Sequence, residues 1–164
     1  MYKVKVKNYS LSNHEKFTLI AGPCQMESRD HALMLAEEMQ KICAKHGVNL
    51  IYKSSFDKAN RSSVSSKRGI GFKQALPIFA EIKEKFSLPI LTDIHSEEQA
   101  KLVGSNDVID ILQIPAFLCR QTDLLKAAAE TGKVINIKKG QFLAPQDMQN
   151  VVNKMEHFGN KNIL

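Results

Sequence analysis

Lys53, Lys58 and Arg61 fall in one short segment, interleaved with Ser54, Ser55, Asn60, Ser62 and Ser63. A guanidinium presents a planar fork of N–H donors that matches phosphate oxygens. An ammonium is a point charge, and serine hydroxyls add neutral hydrogen bonds without bulk. The segment therefore suits phosphate groups, although a solvated basic loop has a similar composition. Its position favours a ligand: it follows the apolar run at 49–52, which reads as a buried parallel strand, and loops at the C-terminal ends of such strands are where α/β proteins bind.

The same pattern recurs along the chain. Apolar runs at 17–21, 49–53, 89–92, 108–112 and 134–137 read as strands, and each is followed by polar residues that an ordinary loop does not require. After the first come Cys24 and Glu27; after the second, Lys53, Ser55, Lys58, Asn60, Arg61 and Ser62; after the third, Asp93 and His95; after the fourth, Gln113; after the fifth, Lys138 and Lys139. Each has a plain alternative, such as Asp93 as a helix cap, Lys139 as a surface lysine or Cys24 as a small buried residue. In a parallel barrel, however, all of these strand ends meet at one face, so the residues would line a single pocket.

Between the strands lie helical patterns. Ala32, Leu35, Ala36, Met39, Ile42 and Cys43 make one apolar face, stopped by Gly47. Ala75, Leu76, Phe79, Ile82 and Phe86 make a second, with Pro77 expected in its first turn, where a missing N–H costs little. The run at 96–99, Ser-Glu-Glu-Gln, starts a third helix as a capping box; 122–130 gives a fourth, and Pro145 opens a fifth. Residues 2–16 read as an extra hairpin, with Tyr2, Val4 and Val6 on one side and Lys3, Lys5 and Lys7 on the other.

Strand and helix alternation argues for a parallel sheet with helical crossovers, buried on both faces. A dinucleotide-binding arrangement lacks its GxGxxG after the first strand, where Gly22-Pro23-Cys24 stands instead. A complete (β/α)₈ barrel needs about 250 residues, more than the 164 here. The expected organisation is one domain, 1–164, with the hairpin at 2–16 and a partial β/α barrel at 17–164.

Composition bounds the rest. The chain is 43% hydrophobic, has no apolar run long enough to span a bilayer and no signal-peptide pattern at its start, so a cytoplasmic location and no membrane partner are expected. Cys24, Cys43 and Cys119 are odd in number and widely spaced, which argues against a disulfide framework. A net charge of +6 raises nucleic acid as a partner, but the lysines are dispersed and no nucleic-acid module is present. Anionic small substrates account for the basicity as well.

The segments 21–24 (Ala-Gly-Pro-Cys), Glu27-Ser28, 53–63, 92–95 (Thr-Asp-Ile-His), 113–123 and 136–142 closely resemble 3-deoxy-D-manno-octulosonate 8-phosphate synthases. The resemblance implies a (β/α)₈ barrel that condenses phosphoenolpyruvate with D-arabinose 5-phosphate, giving the eight-carbon sugar-acid phosphate and phosphate. It places the reaction on the cytoplasmic route to the Kdo of lipopolysaccharide. The related synthases that use erythrose 4-phosphate carry a Lys-Pro-Arg-Thr-Ser type motif in the second loop, where this chain has Lys58-Ala59-Asn60-Arg61-Ser62.

By that resemblance Lys53, Ser55, Lys58, Gln113 and Lys138 hold phosphoenolpyruvate, and Asn60, Arg61, Ser62 and Asp93 take the sugar phosphate. Lys58, Lys138 and Asp93 stand nearest the chemistry. Phe117 and Arg120 reach a neighbouring subunit's sugar-phosphate site, which implies a homotetramer. Cys24 places the chain with the metal-dependent group, whose thiolate binds zinc, iron or manganese; the metal-independent group has Asn there.

A sixth strand begins at 162–164, and the resemblance puts the family's remaining metal ligands and a phosphate-clamping arginine on later strands. About five and a half barrel units are therefore expected to expose a raw sheet edge, and 164 residues alone to aggregate or pair by that edge, without activity. The alternatives are an inactive assembly element, a simple phosphosugar-binding module, or the erythrose 4-phosphate synthase.

Overall fold

A computed structural model describes residues 2–164. A two-stranded antiparallel hairpin, β1 (Val4–Val6) and β2 (Tyr9–Leu11), precedes a five-stranded parallel sheet. The sheet comprises β3 (Thr18–Ala21), β4 (Asn49–Lys53), β5 (Ile90–Asp93), β6 (Ile111–Ile114) and β7 (Val134–Ile137), each hydrogen-bonded to the next in chain order. The crossovers are α1 (Arg29–Lys45), α2 (Phe72–Phe86), α3 (Glu97–Gly104) and α4 (Thr122–Glu130), and α5 (Met148–His157) follows β7. Consecutive parallel strands, each followed by a covering helix, are the build of a partial (β/α)₈ barrel with an N-terminal hairpin, as the alternation of patterns implied.

The period of two along each strand sorts side chains to opposite faces. Leu50, Tyr52, Ile90, Leu112, Ile114 and Ile135 join the helices in the larger core. Ile51, Leu91, Ile111 and Val134 face the other way and meet Val4 and Val6, so the hairpin closes the floor of the barrel interior. Above that apolar floor the next inward positions are Lys53, Asp93, Gln113, Asn136 and Lys138.

Local chemistry sets the helix ends. Ser28 accepts a hydrogen bond from the His31 N–H at the start of α1, and Ser96 accepts one from the Gln99 N–H at the start of α3, as the capping pattern implied. Gly47 has φ +66, in keeping with its place as a helix stop. The extended run at 162–164 pairs in parallel with β7, through the Ile135 N–H to the Asn162 carbonyl and the Leu164 N–H to the Ile135 carbonyl, both 2.9 Å.

Three sequence expectations are corrected. Pro77 lies in the second turn of α2, because the helix begins earlier, at Phe72, behind the positive-φ Gly71. The fourth strand starts at Ile111 rather than 108, because Asn106 Oδ1 takes the Val108 N–H into a turn and Asp110 turns its carboxylate to the Ile90 N–H at 2.8 Å. Ile42 is 58% exposed and Phe17 68%, so neither belongs to the core.

The floor contact has a measurable consequence. Val6→Ala removes buried methyl groups from a closed contact and should lower stability by about 1–3 kcal/mol, read as a lower urea midpoint at unchanged slope. Lys5→Ala, on the exposed side of the same strand, should stay within about 0.5 kcal/mol. Equal losses at both positions would show that the hairpin does not close the floor.

Candidate active site at the C-terminal ends of the strands

The loops after β3 and β4 are stitched together before they carry any chemistry. Ser54 Oγ donates to the Pro23 carbonyl at 3.0 Å, the Met26 N–H donates to the Ser55 carbonyl at 2.9 Å, and Gln25 and Ser55 form a parallel bridge. A Cβ on Gly22 would stand 1.9 Å from the Lys53 carbonyl oxygen, so only glycine lets the two chains approach this closely. On the next strand, Thr92 Oγ1 donates to the Ser54 carbonyl at 2.8 Å. Three strand ends are thereby held in one rigid rim.

Lys53 sits at the centre of the cluster. Its ammonium reaches Ser55 Oγ at 3.4 Å, and Lys58 reaches the same oxygen at 2.8 Å, so one buried hydroxyl gathers two cations. Burial lowers the Lys53 pKa; Asp93 and Cys24 oppose the shift, while Lys58 and Lys138 add to it. Those four neighbours come from the C-terminal ends of four different strands or the loops that follow them. A second contact crosses the sheet, where Asn136 Nδ2 donates to Gln113 Oε1 at 2.9 Å.

Asp93 is 6% exposed. Burial pushes its carboxyl upward, but the hydrogen bond from His95, the neighbouring Ser55 hydroxyl and the Lys53 charge together outweigh burial and leave the pKa below the usual carboxylate value. His95 Nε2 stands 3.2 Å from Asp93 Oδ2. Asp93 Oδ1 is buried and has no hydrogen-bond partner. An unpaired buried acceptor costs about 1–3 kcal/mol, so this oxygen is poised for a donor brought by a ligand.

Arg61 lies farther out. Its guanidinium donates to Gln25 Oε1 at 2.6 Å and its Nε to the Lys67 carbonyl at 3.1 Å, which sets it over the loop after β3. Asp57 and Arg68 close the base of this loop through paired hydrogen bonds of 2.8 and 2.6 Å, and the Lys58 N–H donates to the Arg68 carbonyl at 2.6 Å. Asn60 and Ser62 are exposed beside it.

The structure thus brings together Lys53, Ser55, Lys58, Asp93, Lys138 and Cys24, with Gln113 on the same inward-facing layer. None of the cluster's hydrogen bonds reaches Phe117 or Arg120, which stand exposed at the 3-10 turn after β6. Lys139 is a correction: its ammonium donates to the Gly140 and Leu143 carbonyls at 2.9 and 2.8 Å and tethers its own loop. Asn136, Gln25 and Gln99 are polar members that the sequence reading missed. Only Asn136 left a signal, as the inward step between Val134 and Lys138.

Cys24 is the exposed cysteine, while Cys43 and Cys119 are buried. Among the described residues, no three His, Cys, Asp or Glu side chains gather in a way that could hold a metal ion. The described residues therefore offer a single thiol toward a metal ion and not a full set of ligands. No helix among the described residues is long and apolar enough to cross a membrane.

Comparison with known proteins gives one consistent answer. The model of the DAHP synthetase I family matches residues 1–164. A 2-dehydro-3-deoxyphosphooctonate aldolase of Agrobacterium fabrum is 61% identical over 155 residues, covering 94% of this chain and 54% of that protein. Proteins of the same name from Brucella anthropi and Bartonella tribocorum are 57% and 58% identical, covering 98% and 99% of this chain and 57% and 58% of their own length. The chain spans a little over half the length of the curated relatives it matches.

The lowered Asp93 pKa fixes a sign. A carboxyl depressed in the folded state contributes stability that is present above its unfolded value of about 3.9 and is lost as pH falls through the lower folded value. In urea titrations, the stability gap between the protein and Asp93→Asn should hold steady above about pH 5 and shrink below about pH 4. A gap that widens in acid would mean that burial wins and the carboxyl is raised.

Proposed function

The chain belongs to the DAHP synthetase I family, and from that premise we propose that it carries the substrate-gathering half of a synthase that joins phosphoenolpyruvate to D-arabinose 5-phosphate. The products are 3-deoxy-D-manno-octulosonate 8-phosphate and phosphate. The observation that supports this most is the inward layer of Lys53, Lys58 and Lys138 around Ser55 and Asp93. Similarity to relatives named for the deoxyoctulosonate phosphate favours the five-carbon aldose over erythrose 4-phosphate.

The reaction makes clear why such a layer is needed. An enol-ether carbon adds to an aldehyde, water adds at the carbon that bears phosphate, and phosphate leaves. Both substrates are anions, and each pair of like charges about 6 Å apart repels by about 3 kcal/mol at an effective dielectric near 20. Fixed ammonium groups cancel that repulsion without reorganising, and orientation then supplies much of the acceleration.

In this reading Lys53, Ser55, Gln113 and Lys138 hold the carboxylate and phosphate of phosphoenolpyruvate, and Lys58 lies between the substrates. Asn60, Arg61 and Ser62 take the phosphate of the aldose, whose hydroxyl donates to the free Oδ1 of Asp93. Phe117 and Arg120, exposed after β6, serve a neighbouring copy in a homotetramer. The setting is cytoplasmic, in lipopolysaccharide synthesis. Cys24 would contribute one thiolate to a divalent ion, zinc, iron or manganese, whose other ligands the described residues do not supply; such an ion would bring Lewis-acid chemistry.

Phosphate release by the complete synthase that carries this half tests the reading: arabinose 5-phosphate should turn over faster than erythrose 4-phosphate, and the reverse order would refute it. In the same assay Arg61→Ala should lose about 2–4 kcal/mol of transition-state stabilisation, expressed through the sugar phosphate. A loss confined to phosphoenolpyruvate would show that the two phosphate sites are exchanged. Elemental analysis addresses the metal: Cys24→Asn should lose bound divalent ion relative to the unaltered protein, and equal metal content would leave Cys24 a plain thiol.

A further inference from the structure

Behind Asp93 stands a second hydrogen-bonded pair that the reaction scheme above does not use. Gln99, on the first turn of α3, places its side-chain Oε1 2.8 Å from the backbone N–H of His95 and 3.2 Å from the His95 ring at Nδ1. The backbone N–H can only donate, so it fixes which end of the amide faces the ring. Nδ1 therefore faces an oxygen. At the far side of the ring Nε2 lies 3.2 Å from Asp93 Oδ2, so the ring is held between two oxygens whichever nitrogen carries its proton.

The rest of the surroundings allow the ring little freedom. Phe56 meets the imidazole edge to face at 6.4 Å, and Phe72 braces Phe56 at 5.3 Å. The backbone N–H of Gln99 is itself held by the Ser96 hydroxyl at 3.2 Å, which anchors the amide-bearing residue to the start of its helix. The result is a continuous line from a helix cap to a carboxylate in the pocket. One oxygen of that carboxylate is spent on His95; the other, Oδ1, is buried and unpaired.

We propose that Gln99 is a positioning residue for Asp93, acting through the His95 ring so that Oδ2 is occupied and Oδ1 alone is presented to a hydroxyl of the sugar phosphate. The inference rests on the reading of Asp93 as the acceptor of that hydroxyl. Gln99 touches no substrate in this arrangement. Its contribution is to remove the rotational freedom of the ring, and with it that of the carboxylate, before the aldose arrives.

The test compares Gln99→Leu, which removes the acceptor, with Gln99→Glu, which keeps an oxygen in reach of the His95 N–H and the ring. Nitrogen NMR of the imidazole reports the ring, and calorimetric titration with D-arabinose 5-phosphate and, separately, phosphoenolpyruvate reports the pocket. Gln99→Leu should shift the imidazole nitrogen signals of His95 and bind arabinose 5-phosphate about tenfold more weakly, the scale of one charge-assisted hydrogen bond. Phosphoenolpyruvate affinity should hold, while thermal stability should fall modestly because the His95 N–H loses its acceptor. Gln99→Glu should restore both the signals and the sugar affinity.

An unchanged ring in Gln99→Leu would overturn the proposal, and so would a changed ring with unchanged sugar affinity. Equal weakening toward both substrates would also overturn it, by showing a merely structural part for Gln99. Failure of the underlying reading looks different: the unaltered protein would then bind phosphoenolpyruvate but not arabinose 5-phosphate, or neither.

Discussion

The structure depends on one constraint, the period of two along parallel strands whose neighbours are in register. Once Ile51, Leu91, Ile111 and Val134 are committed to the apolar floor under the hairpin, Lys53, Asp93, Gln113 and Asn136 must occupy the layer above it. A slip of one residue in any of these four strands would send a polar side chain into the helical face and an aliphatic one into the pocket. The floor therefore does more than add stability. It fixes the height at which every polar side chain enters the site.

The polar layer carries an electrostatic cost that its own composition offsets. Gathering lysines inside a rim of strands disfavours their charge, and Lys53 shows it in its lowered pKa. Asp93 supplies the opposite charge and is in turn held by His95. The arrangement is short of negative charge when empty and becomes neutralised by anionic ligands, which is the electrostatic state expected of a site for two phosphate-bearing substrates. The stitching of the β3 and β4 loops through Ser54, Met26 and Gly22 keeps these charges from relaxing apart.

Much of this was legible in the sequence because the relevant signals are local and periodic. Apolar runs with polar ends gave five strands and their loops, and Ser96 announced its helix by its own cap. Boundaries failed where a tertiary hydrogen bond overrode the pattern, as when Asp110 left the apolar run at 108–112 to bond the Ile90 N–H. Pro77 was misplaced because Gly71, without a side-chain cap, starts its helix on backbone conformation alone. At the site, Lys139 followed the same positional rule as Lys138, yet it turned to its own loop carbonyls, a choice that only the folded backbone decides. Gln99 read as the last member of a capping box, which implies a reach back to the helix start but gave no hint that its side chain would also meet the His95 ring.

The central claim is that residues from different strand ends act as one anion-binding layer. Amide and side-chain NMR of the protein, titrated first with phosphoenolpyruvate and then with arabinose 5-phosphate, tests it most directly. The account expects phosphoenolpyruvate to shift Lys53, Ser55, Gln113 and Lys138 together with a single dissociation constant, and the sugar phosphate then to shift Arg61 and Asp93. Separate constants at each strand end, or shifts confined to exposed lysines of the helices and hairpin, would contradict it.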